Sequence, residues 1–352
     1  MEGVTNPARI EVDFEYGDLE EVVVGVPFIV YPDLAVASWA REAMKVVPEA
    51  EAARAMAFSG KDSIEVGVFD AMERENEGLI SELTRRGIRV HRPERLTRER
   101  VVVSFGEDYV RLAGISQQFT RDPVIVVGEN VIECTMGSLY RRADILGLVR
   151  PLLARLTGSN ARWVSMPSID LSLMIRGGDF DKTGFPVLEG GDVLVLGRKI
   201  LVGTSANPTT GSSELGWRWL RDYLGPQGYD VERVPLPADI LHLDVALSVP
   251  RPGVVVTCPE VFEGGLPTCF DGWKRIEVSR EETRLLATNG LPLDPAHYLL
   301  GTNDRFDGSR VAGPLRALGI EVTLLPFGVH TAHGGSIRCS TMPLRRRLRE
   351  GR

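Results

Sequence analysis

Four short segments of the chain set reactive or charged side chains beside glycines or at the mouth of an apolar run. Near the C-terminus, His333-Gly334-Gly335-Ser336-Ile337-Arg338-Cys339-Ser340-Thr341 carries a cysteine with an arginine next to it. A thiolate is the strong nucleophile of the protein inventory, and nearby positive charge favours it over the thiol. Read alone, a cysteine is more often a small buried hydrophobe. Leu241-His242-Leu243-Asp244 opens the apolar run 245–249. That run reads as a strand, and period-2 alternation puts His242 and Asp244 on one face. There a carboxylate could orient an imidazole for acid–base work; the plain alternative is a structural histidine with its hydrogen bonds satisfied. Leu188-Glu189-Gly190-Gly191-Asp192 flanks two glycines with two carboxylates. The glycines permit close backbone approach to a ligand or simply a turn between strands. Phe119-Thr120-Arg121-Asp122-Pro123 precedes the run VIVVG, where an Asp before Pro is commonly only a turn former.

The elements that must hold these residues read as an alternating α/β chain. Strands are predicted over 21–26, 88–91, 124–127, 193–196, 200–202, 245–249, 254–258 and 320–325, all short and rich in Val and Ile. Amphipathic helices are predicted over 68–86, 139–156, 212–224, 280–289 and 309–318. In the first, Met72, Leu79, Ile80 and Leu83 share a face, and Gly87 ends it. The stretch 177–184 (GGDFDKTG) reads as an interior loop, and no Pro/Ser-rich linker divides the chain. One compact domain over 1–352 is therefore expected, with strand-turn-strand-helix units recurring in the coarse pattern.

Bulk properties narrow the partners. The chain has 352 residues, a formal charge of −7, 43% hydrophobic and 25% charged residues. That is ordinary globular composition, and the net acidity argues against nucleic acid as a partner. The basic cluster of Arg345, Arg346, Arg347, Arg349 and Arg352 reads as a solvated tail. No run approaches the roughly 18 apolar residues of a membrane span. The N-terminus is polar with no apolar signal-peptide core, so a soluble, cytoplasmic protein is expected. Cys134, Cys258, Cys269 and Cys339 form no C-x-x-C pair and are too few for a disulfide scaffold. His330 and His333 lack a convincing third ligand, so no metal and no cofactor are expected.

Taken in order, RD…EGGD…HLD…GGxxxC resembles the guanidino-group-modifying superfamily of arginine deiminases, dimethylarginine hydrolases and arginine:amine amidinotransferases. The resemblance spans nearly the whole chain. Tyr16-Gly17-Asp18-Leu19-Glu20-Glu21 and the following VVVGVP look like its first strand. Arg251-Pro252-Gly253, Pro259-Glu260, Leu266-Pro267 and Gly272-Trp273 are similar to the amidinotransferase branch. The resemblance implies a pentein fold, a five-bladed pseudosymmetric α/β propeller around a polar site. It implies Cys339 as nucleophile and His242 as general acid and base, with Asp192 and Asp244 completing the catalytic set. Asp122, Glu189, Arg121 and Arg338 would contact substrate. Which carboxylates grip a guanidinium and which orient His242 stays open. Two features depart from the pattern. Arg338 stands where many members have His before the cysteine, and EGGD is closer to the deiminase side.

The implied chemistry suits these residue types. A guanidinium is planar and cationic, so carboxylates pair with it through charge-assisted hydrogen bonds. Its carbon is a poor electrophile, which calls for a thiolate. The departing amine needs a proton, the task for His242. The leading expectation is transfer of the amidino group of arginine, or a related guanidino compound, to an acceptor amine. The runner-up is hydrolysis of arginine or a substituted arginine at the same site. A non-catalytic pentein is the third reading. Whether the chain forms homo-oligomers is left open.

Overall fold

Four times along the chain a strand turns back into a second, antiparallel strand, and a fifth such pair joins the two ends of the chain. A crossover then returns a third strand parallel to the second. The computed structural model describes residues 9–38, 40, 49–170, 175–176 and 179–348. The second blade is Val124–Val127, Asn130–Glu133, the helix Ile145–Leu156 and Arg162–Ser165. The third is Val193–Leu196, Lys199–Ser205, the helix Glu214–Leu224 and Asp230–Leu236. The fourth is Leu247–Arg251, Val254–Thr257 and Lys274–Glu277, with 3₁₀ turns Pro259–Val261 and Thr268–Phe270 in place of a long helix. The fifth is Leu291–Asp294, His297–Thr302, the helix Ser309–Ala317 and Glu321–Pro326. The first blade draws on both ends of the chain. Asp18–Val24, the helix Val68–Arg85 and Arg89–His91 receive their antiparallel partner from Thr341–Arg347.

Burial explains why the first strand of each blade lies at the hub. Val124–Val127 is buried on both faces, and Val193–Leu196 is nearly so. Third strands such as Arg162–Ser165 and Lys274–Glu277 are largely exposed at the rim. A run buried on both faces must be apolar throughout, which is how VIVV and VLVL read. Each such Val or Leu contributes about 1.5–3 kcal/mol on burial. The helix Val68–Arg85 buries Met72, Leu79 and Leu83 as its periodicity predicts, plus Asn76, while Ile80 is half-buried. Asn76 is tolerated because its amide donates to the Gly25 carbonyl.

Several expectations need correction. The run predicted as a strand over 245–249 starts as one helical turn, Leu243–Ala246, and extends only from Leu247. Helix 139–156 is broken, with a 3₁₀ turn at Leu139–Arg141 before Ile145–Leu156. The helix from 280 stops at Arg284. The arginine cluster is no solvated tail as far as residue 347. Arg346 is buried within the closing strand, and Arg345 and Arg347 pair with Glu20. Arg349 and Arg352, like Gly177 and Gly178, lie outside the described residues. Among the described residues, no helix is long and apolar enough to cross a membrane.

Candidate active site

Each blade's first strand is entered by a loop carrying polar residues, and these loops converge. Asp122 lies two residues ahead of Val124, Asp192 immediately ahead of Val193, and His242 and Asp244 just ahead of Leu247. Asn289 stands two residues before Leu291, and Cys339 two before Thr341. A propeller brings the same end of each inner strand toward one axis, so residues over 200 positions apart become neighbours.

His242 caps the short helix Leu243–Ala246. Its Nε2 lies 2.6 Å from Glu189 Oε2, and its Nδ1 lies 3.7 Å from Asp122 Oδ1. Glu189 is held in place by backbone N–H groups of Gly137, Ser138 and Gly211. Asp122 accepts from the Gly191 N–H at 2.9 Å and from Arg141 Nη1 at 2.8 Å. The glycine at 191 is required here, since a Cβ would sit 2.5 Å from His242 Nδ1 and 2.9 Å from Asp122 Oδ1. Burial disfavours the imidazolium, but Asp122, the hydrogen-bonded Glu189 and Asp192 outweigh it and raise its pKa to about 10. Burial alone would raise Glu189, yet its bond to His242 draws it down to about 2. The resting pair is therefore imidazolium and carboxylate.

Cys339 is 4% exposed. Its N–H donates to Asn289 Oδ1 at 3.1 Å, and its Sγ lies 3.8 Å from Asp244 Oδ2. The same oxygen accepts from Arg338 Nη1 at 2.6 Å. Asp244 Oδ1 is buried and has no hydrogen-bond partner among the described residues. Burial, then the charges of Asp244 and Asp122, push the Cys339 thiol well above its ordinary pKa; Arg338 opposes them. At rest the sulfur is a thiol in an acidic, buried site. The arrangement has an anionic wall, one imidazolium, one thiol and an unsatisfied carboxylate oxygen, which is suited to a compact cation with several N–H donors.

The structure sorts the residues expected from the sequence. Cys339, His242, Asp122, Glu189 and Asp244 come together. Asp244 does not orient His242: the helical turn breaks the period-2 alternation, and its partners are Arg338 and Cys339. Glu189, expected against substrate, is the direct partner of the imidazole. Asp192 is spent on backbone, accepting from Ser212 and Leu243 N–H at 2.7 and 2.9 Å, and burial raises it to about 6. Arg338 points away from the site toward Glu15 and the Val193 carbonyl, apart from its contact with Asp244. Arg121 donates through Nε to the Arg338 carbonyl at 3.3 Å rather than facing the thiol. The sequence reading missed Asn289, Arg141 and Glu15. Asn289 had a signal: TNG before LPL repeats the pattern of RDP before VIVV and GGD before VLVL. Among the described residues, no group of three His, Cys, Asp or Glu side chains is placed to hold a metal ion.

No protein-family model matches the chain. It is 24% identical over 302 residues to an L-arginine:L-lysine amidinotransferase of Pseudomonas savastanoi pv. phaseolicola, covering 79% of this chain and 80% of that one. It is 24% identical over 382 aligned positions to the mitochondrial glycine amidinotransferase of Xenopus tropicalis, covering 95% and 82%. Among solved structures it resembles an amidinotransferase of saxitoxin biosynthesis from Microseira wollei, with a TM-score of 0.73, 20% identity and coverage of 97% and 98%. The inosamine-phosphate amidinotransferase of Streptomyces griseus gives 0.73 at 21% identity, covering 96% and 97%. A dimethylarginine dimethylaminohydrolase gives 0.61 at 14% identity, covering 92% and 99%. The structural likenesses establish the pentein fold.

Proposed function

We propose that this pentein chain is an amidinotransferase, which moves the amidino group of arginine or a close relative to an amine through a covalent intermediate on Cys339. The observation that carries the reading is the convergence of Cys339, His242, Glu189, Asp122 and Asp244 on one buried site, in a chain similar to amidinotransferases over most of its length.

In this reading Asp122 and Asp244 grip the guanidinium, with the free Oδ1 of Asp244 accepting one of its N–H groups. The arriving cation, added to Arg338, lowers the thiol pKa, and the sulfur releases its proton to solvent on binding. The thiolate adds to the guanidinium carbon and a C–S bond forms. The C–N bond to the amino-acid side breaks as the imidazolium of His242 protonates the departing amine. Nδ1 is the nitrogen available, since Nε2 is committed to Glu189. The sulfur then carries the amidino group, and the imidazole is neutral. An incoming amine gives its proton to that imidazole, attacks the same carbon and expels the thiolate, which takes a proton from solvent as the product guanidinium leaves and so restores the site. Asp192 positions the loops that carry Glu189 and His242. A reducing compartment such as the cytoplasm goes with this reading, because a free thiol must persist and all four cysteines are free.

The second reading, hydrolysis, is favoured by the Glu189–His242 contact within EGGD and by the likeness to the dimethylarginine hydrolase. Incubation with arginine and a panel of amines separates them. Transfer without an acceptor stops after one ornithine per chain, and gives continued ornithine and a new guanidino compound only when an acceptor is present; hydrolysis gives citrulline whether or not an amine is added.

A further inference from the structure

A cavity of about 20 Å³ lies among the inner strands of the first, second and third blades. Apolar side chains such as Val126, Val193 and Met342 form part of its wall; the charged lining is Arg121, Arg346 and Glu15. Both arginines are more than nine-tenths buried. A guanidinium carries five N–H donors. Arg346 gives two to the carbonyls of Gly17 and Pro292, each at 2.7 Å. For Arg121 the one described side-chain bond is that from Nε to the Arg338 carbonyl. Among the described residues neither arginine is in an ion pair. Glu15 cannot serve both: its Oε2 is taken by Nε and Nη2 of Arg338, and its Oε1 accepts the Val195 N–H.

We infer that this cavity binds a small monatomic anion of the halide class, held between Arg121 and Arg346. A buried charge without a partner is costly, and a pair of them around one hole calls for a counter-ion. Burial, then Arg338, pushes Arg121 down to about 9, and burial pushes Arg346 down to about 10; Glu15, with Asp244 for the first and Asp18 and Asp294 for the second, offsets only part of this. The size selects the occupant. About 10–15 Å³ accommodates one water, so the cavity takes one particle of that order and excludes sulfate, phosphate or a carboxylate. The ion has a structural consequence for the site. The backbone N–H of Arg121 donates to the Cys339 carbonyl at 3.1 Å, and its Nε holds the Arg338 carbonyl. An anchored Arg121 therefore braces the segment that carries the thiol, whatever reaction that thiol performs.

Two measurements test this. Thermal unfolding is followed from about 1 to about 300 mM chloride at constant ionic strength, with gluconate as the balancing anion. A bound halide raises the melting temperature saturably, by about 3 °C or more, and Arg121→Gln loses that rise. Crystals grown in bromide supply the second readout on the unmodified protein. An anomalous peak between Arg121 and Arg346 is expected there. A melting temperature indifferent to chloride, together with water density and no anomalous peak in the cavity, overturns the inference. The bromide map decides alone if Arg121→Gln does not fold.

Discussion

A thiol held well above its ordinary pKa is a poor nucleophile until something cationic arrives. Cys339 should therefore react slowly with iodoacetamide at neutral pH. Below saturation, a guanidinium compound that cannot be cleaved should shift the thiol's apparent pKa downward, read from the pH profile of alkylation. Cys339→Ala should abolish arginine consumption and leave the fold intact by circular dichroism, whereas Cys134→Ala and Cys258→Ala should cost only modest stability. His242→Asn should slow turnover by about 10²–10⁴-fold. That substitution also carries a pH signature. The folded-state pKa of His242 is raised to about 10 from 6.5, so its stabilising contribution is complete below about 6.5 and is lost as pH rises through 10. Urea unfolding of the wild type minus that of His242→Asn should show this fall between those pH values; a flat difference would mean the imidazole is neutral in the folded chain. At this scale the reactive types were legible, because Cys339, His242 and the carboxylates each sit before an apolar run. Their pairing was not. Glu189 rather than Asp244 meets the imidazole, since one helical turn at Leu243–Ala246 re-aims Asp244, and the four residues LDVA do not reveal their backbone angles.

The five strand-entering loops are the elements that convert sequence order into a site. Their glycines set how closely they approach. Gly191→Ala must displace His242 or Asp122, so it should cut kcat by an order of magnitude or more while the melting temperature moves little. Gly216→Ala places a Cβ 1.8 Å from the Val187 carbonyl oxygen, where it meets packing backbone and no catalytic side chain, and should instead destabilise by about 1–3 kcal/mol with kcat retained. Comparing the two by chemical denaturation and steady-state kinetics separates positioning from packing. Asn289→Ala removes the acceptor for the Cys339 N–H and should lower kcat more than it raises KM. Three inner strands were legible, Val124–Val127, Val193–Leu196 and most of Leu247–Arg251, because burial on both faces favours an apolar run; Leu291–Asp294 and Thr341–Arg347, interrupted by Pro and by charged residues, were not. Of the rim strands, Arg89–His91 and Glu321–Pro326 were legible, but Arg162–Ser165 and Lys274–Glu277 were not, being largely exposed and recruited by pairing with the middle strand. The fourth blade's crossover lacks a long helix, so no periodicity announced it.

On the scale of the whole molecule, the ring closes through its two chain ends. Thr341–Arg347 completes the first blade and directly follows the nucleophile, so the site exists only when the ring is shut. A chain ending at Ser340 should fail to give a cooperative unfolding transition, because it exposes Met342's and Leu344's packing partners and leaves Asp18–Val24 without its antiparallel neighbour. This closure explains why a terminal arginine cluster misled the sequence reading. Arg345 to Arg347 look like a tail until the strand from the other end of the chain lies beside them. The covalent step on Cys339 is open to a direct measurement: intact-protein mass spectrometry after mixing with arginine and no acceptor amine. One amidino group per chain should appear, mapped to Cys339, with stoichiometric ornithine and no adduct in Cys339→Ala. Undiminished turnover by Cys339→Ala would contradict the covalent step, and steady citrulline release without an acceptor would contradict transfer.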